Sequence, residues 1–96
     1  MIVFALLSVS QSKLKDVLRK LKDLGPKNIN KVHLVYGEYD IIAELKAYNP
    51  ESSTSLLKTI KETEGVNVLK TYVVSDQITE NNIENILVPN IRATSC

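Results

Sequence analysis

The chain has 96 residues, 44% hydrophobic and 24% charged, with three glycines, three prolines and a formal net charge of +1. That composition excludes a disordered chain and fits one small globular domain, and so small a charge supplies little of the field that a dedicated nucleic-acid binder uses. One cysteine, Cys96, and one histidine, His33, form neither an internal disulfide nor a multi-ligand metal site.

The N-terminal run MIVFALLSVS is too short for a membrane span and has no leading positive charge, so it reads as a strand rather than a signal peptide. No stretch of about 18 apolar residues occurs elsewhere, so no membrane partner is expected and the lone cysteine suits a reducing cytoplasm. Ile2, Val3, Phe4, Ala5, Leu6, Leu7 and Val9 are almost continuously apolar, the pattern of a strand covered on both faces. Ser10 and Ser12 are candidate caps for a helix in which Leu14, Val17, Leu18, Leu21 and Leu24 follow helical spacing, and Gly25 with Pro26 ends it.

The alternation predicts a second strand over Lys31 to Tyr36 and a third over Asp40 to Ala47. Ile41, Ala43, Leu45 and Ala47 share one face of the third strand, against Ile42, Glu44 and Lys46. Asn49 as cap and Pro50 at the first helical position open a second helix with the apolar stripe Leu56, Leu57 and Ile60, closed by Gly65. A fourth strand, Val66 to Val74, follows.

The order strand, helix, strand, strand, helix, strand predicts an α+β, ferredoxin-like βαββαβ fold. Its sheet is four-stranded and antiparallel, with both helices on one face. The other face carries half of the first strand's apolar residues with Val35 and either Ile42 or Ala43, a patch best covered by a second copy packed sheet to sheet as a dimeric α/β barrel. Residues 1–76 form the domain. Residues 77–96, with an apolar run at Ile86 to Val88, read either as an extra edge strand for a partner or as a tail.

The chemistry available is sparse. No nucleophile and base, paired carboxylates or glycine-rich phosphate loop can be assembled from spacing, so no catalytic residue, metal or cofactor is assigned and an enzyme is not expected. His33 reads as a partly exposed strand residue. Lys13, Lys15, Arg19, Lys20 and Lys22 are interrupted by Asp16 and Asp23, as on a solvated helix face.

The stretch VYGEYDIIAEL, Val35 to Leu45, is the informative one. Gly37 provides the backbone freedom of a hairpin and Asp40 can tie the turn to neighbouring amides. Glu38 and Tyr39 are costlier choices than the Asn or Ser of a plain turn. Both readings, a plain turn and a turn that holds something, stay open on these residues.

The segments KVHLVYGEYDIIAELKA and EGVNVLKTYVV, with Gly37 and Asp40 in the turn and Gly65, Val66 and Thr71 further on, resemble the effector-binding (RAM-type) domain of the Lrp/AsnC transcription regulators over Ile2 to Val74. The resemblance implies sheet-to-sheet homodimers, larger assemblies, and an amino-acid effector bound where dimers meet. It implies ligand contacts from Gly37, Glu38, Tyr39, Asp40 and Thr71, with the Gly37 amide meeting the carboxylate and the Asp40 carboxylate meeting the ammonium group.

Full regulators of this family carry an N-terminal helix-turn-helix domain, whereas this sequence starts with the first strand. The expectation is a stand-alone sensing and oligomerisation module that does not touch nucleic acid itself and works through mixed assemblies with full-length Lrp/AsnC-type regulators or another partner. The alternatives are a small dimeric α/β-barrel enzyme of the cofactor-free monooxygenase or isomerase type, and an ACT-like amino-acid-binding module.

Overall fold

A computed structural model describes residues 2–86 of the chain. Strand β1 (Ile2–Val9) leads through a 3-10 turn at Gln11–Lys13 into helix α1 (Leu14–Asp23). Strands β2 (Ile29–Leu34) and β3 (Ile41–Lys46), helix α2 (Pro50–Lys61) and strand β4 (Val66–Val73) follow. The sheet order is β2-β3-β1-β4 and every pairing is antiparallel, the ferredoxin-like arrangement.

The register divides the apolar residues between two faces. Val3, Ala5 and Leu7 lie opposite Leu45, Ala43 and Ile41. All six are buried in one cluster with Val17 and Leu21 from α1 and Leu56 and Ile60 from α2. The helices therefore cover that face, and each fully buried Leu or Ile contributes about 1.5–3 kcal/mol. The opposite face carries Phe4, Leu6 and Ile42, half-buried, beside the exposed Ile2, Val68 and Tyr72. Ile42, not Ala43, is thus the third-strand residue on the open face.

The predicted elements hold, with shifted ends. Asn49 accepts the Ser52 backbone N–H at 2.7 Å, and Ser52 Oγ accepts the Asn49 N–H at 3.3 Å, completing a capping box behind Pro50. Ser10 and Ser12 do not cap α1. The Ser10 hydroxyl accepts from Asn67 Nδ2 at 3.1 Å, and the 3-10 turn supplies the entry to the helix instead.

Strand β2 lies two residues earlier than the alternation suggests, because the chain is drawn toward β1 at Asp40. Val35 N–H donates to Asp40 C=O at 2.9 Å, but the Asp40 N–H donates to Leu7 C=O in β1 at 2.8 Å rather than back across the hairpin. Tyr36 is fully exposed at the tip, and Val35 leaves the sheet.

Beyond β4, Val74 N–H still pairs with Ile2 C=O at 3.0 Å. The described tail then holds one 3-10 turn, Ile83–Asn85, and no strand. The rest of the Ile86 to Val88 run and Cys96 lie outside the described residues. No helix among the described residues is long and apolar enough to cross a membrane.

Candidate functional site

The turn between β2 and β3 is built around Asp40. Its carbonyl closes the hairpin, its N–H bonds to Leu7, and its side-chain Oδ2 accepts the Val9 N–H at 2.8 Å. One residue thereby fastens the turn to the last turn-proximal residues of β1, satisfying a strand-end amide that would otherwise lack a partner. At the tip Gly37 has φ +143°, a conformation that side chains rarely adopt, and no heavy atom lies within 4 Å of where a Cβ would stand. The glycine is needed there for its backbone and not for want of space.

Beneath the turn, Gln11, Leu14, Leu34, Val35, Tyr36 and Asp40 line a cleft of about 320 Å³, within the range of small-molecule sites. Asp40 is the one charged residue in that lining. The cleft suits a ligand that presents a cation or hydrogen-bond donor beside an apolar portion, the Leu14 and Leu34 side chains meeting the latter.

The structure brings four of the five predicted residues together and leaves the fifth apart. Gly37, Glu38, Tyr39 and Asp40 form the turn, of which Asp40 alone lines the cleft. Glu38 is exposed and Tyr39 half-buried. Thr71 lies on β4 opposite Ala5, exposed on the helix side of the sheet, with β1 between it and β3. Gln11, Leu14 and Tyr36 line the cleft without being marked as site residues by the sequence pattern. Tyr36 had a signal, an aromatic residue beside the turn glycine, while Gln11 reaches the site only because β1 and the turn end together.

Residues 2–83 match the Lrp/AsnC ligand binding domain family. The chain belongs to that family. No match is found among curated protein sequences.

Solved structures with the same fold include FFRP-DM1, 22% identical with a TM-score of 0.69 over 76% of this chain and 96% of that one. A protein of Thermus thermophilus is 19% identical, with a TM-score of 0.73 over 82% of this chain and 98% of that one. AsnC of Escherichia coli is 17% identical, with a TM-score of 0.71 over 79% of this chain and 51% of that one. This Lrp/AsnC domain thus corresponds to about half of AsnC.

Among the described residues no three His, Cys, Asp or Glu side chains come together as a metal site would require.

Proposed function

We propose that this Lrp/AsnC ligand binding domain is a non-catalytic cytoplasmic module that senses an amino acid and couples its binding to assembly. The family match over residues 2–83 carries this reading, and the cleft gives the ligand a place. The ammonium group meets the Asp40 carboxylate, whose Oδ1 is left for it while Oδ2 holds Val9. The ligand's carboxylate meets the backbone amide of Gly37, with Glu38 and Tyr39 closing over it. Thr71 joins the pocket from a neighbouring copy, since β1 keeps a chain's own Thr71 away from its turn.

The open face, with Phe4, Leu6 and Ile42, is where two copies pair, burying a patch too apolar to leave in water. Full-length Lrp/AsnC regulators that present the same kind of face are the mixed partners. A ligand held between copies favours whichever assembly contains the better-formed pocket, so ligand and assembly size are linked.

A thermal-denaturation screen against the common amino acids at millimolar concentration tests the reading. Ligand at a hundred times Kd stabilises the native state by about 2.7 kcal/mol, a rise in Tm of roughly 10–20 °C for a domain of this size. A selective rise with one or a few amino acids is expected, and a flat panel would defeat amino-acid sensing.

A further inference from the structure

Among the described residues nothing covers two surfaces of the protomer, and they are complementary. One is a groove of about 520 Å³ between α1 and β2, with Leu18, Ile29, Val32 and Leu34 as its apolar part and Lys22 and Lys31 beside them. Val32 and Leu34 are 36% and 62% exposed. Because β2 is an edge strand, alternate backbone N–H and C=O groups along the groove also lack partners.

The other is the segment that follows β4, Ser75 to Ile86. Asn82 folds it locally, its Oδ1 accepting from Thr79 N–H at 2.8 Å and its Nδ2 donating to Gln77 C=O at 2.7 Å. The segment thus has a shape of its own, yet Ile78 and Ile83 are each 55% exposed. Its charged residues, Asp76, Glu80 and Glu84, are all acidic, opposite in sign to the two lysines of the groove.

We infer that the Ser75–Ile86 segment of one copy docks in the α1–β2 groove of a second copy, with Ile78 and Ile83 on the apolar strip and the acidic residues beside Lys22 and Lys31. The charge pairing selects the partner and the orientation, and the isoleucines supply the burial. A second copy is the occupant because the segment leaves β4, at the edge of the sheet opposite β2, and in its folded course none of its residues lines the groove of its own chain, while its isoleucines stay exposed. Within the described residues of one chain both surfaces remain bare. The groove shares Leu34 with the cleft beneath the β2–β3 turn but takes none of the turn residues, and its cross-linking test uses no amino acid, so its failure is distinguishable from a failure of amino-acid sensing.

Cross-linking in the full chain decides it. In a Cys96→Ser background, one tagged population carries Val32→Cys and another Ile83→Cys, and the two are mixed and oxidised. The expected result is a mixed disulfide between the two tags as the main product. Adding Lys22→Glu and Lys31→Glu to the groove chain should cut that product about tenfold, because each pairing becomes a repulsion. Asp76→Lys, Glu80→Lys and Glu84→Lys on the other chain should restore it. Absence of the mixed disulfide, its survival of the charge reversal, or failure of the reciprocal reversal to restore it would each overturn the contact. So would a chain carrying both cysteines that closes only upon itself.

Discussion

Asp40 Oδ2 accepts the Val9 backbone N–H at 2.8 Å across 31 residues of sequence, joining the start of β3 to the end of β1. The turn carboxylate therefore has a structural duty whatever else it binds. Asp40→Ala removes the acceptor and leaves a part-buried amide unpaired, with an expected cost of about 1–3 kcal/mol by chemical denaturation. Asp40→Asn keeps an oxygen at the same place and should cost less than half as much. If Asn also preserves the amino-acid response, the carboxylate's charge is not what meets the ligand.

Gly65 and Gly37 both have positive φ, but for unequal reasons. A Cβ on Gly65 would collide with Lys13 Cβ and stand 3.3 Å from Val17 Cγ2, on a backbone at φ +101°. Gly65 also offers its carbonyl to Ser10 N–H at 2.9 Å, so the loop cannot move away without loosening the end of β1. Gly65→Ala should therefore combine backbone strain of about 1–3 kcal/mol with a steric clash. Gly37→Ala should show the strain alone. Denaturation midpoints of the two variants, compared at equal denaturant slope, check the order, and an equal loss would mean that the Lys13 contact relaxes without cost.

The open face makes its own prediction. Leu6 lies between Ile42 on β3 and Lys70 on β4, so Leu6→Glu gains a cross-strand partner while placing a charge in the middle of the apolar patch. Protomer stability should change by no more than about 1 kcal/mol. Sheet-to-sheet pairing should be lost, because a charge at the centre of a buried interface is costly to desolvate. Sedimentation velocity of the variant should then show a smaller assembly than the parent chain, and an unchanged size would place the pairing of copies on another surface.

How far the sequence reaches can be judged residue by residue. Periodicity is enough to assign Ile41, Ala43 and Leu45 to the covered face, because the strand repeat of two is fixed by backbone geometry. Asn49–Pro50 is equally legible, since a capping box is a local event. Ser10 misleads for the opposite reason. Its hydroxyl is taken by Asn67, a partner 57 residues away, and tertiary contacts override local capping preference. The end of β2 is not legible because the choice of Leu7 over Val35 as the partner of the Asp40 N–H is made by β1, which lies outside the hairpin. In the site, Gly37 and Asp40 announce themselves by residue type, whereas Gln11 and Leu14 carry no signal at all until β1 and the turn are set side by side.

The separation of Thr71 from the turn allows a mixing experiment. Asp40→Asn and Thr71→Val each damage a different half of the proposed pocket, and neither leaves a buried amide without an acceptor. If the two halves come from different copies, each variant alone should lose its thermal shift with the effector. Random mixing of the two gives about half mixed pairs, each with one intact pocket of two, so about a quarter of the sites should respond again. The fraction can be read by calorimetry as the recovered stoichiometry. If Thr71 instead served the turn of its own chain, every pocket in the mixture would still carry one damaged half, and mixing would recover nothing.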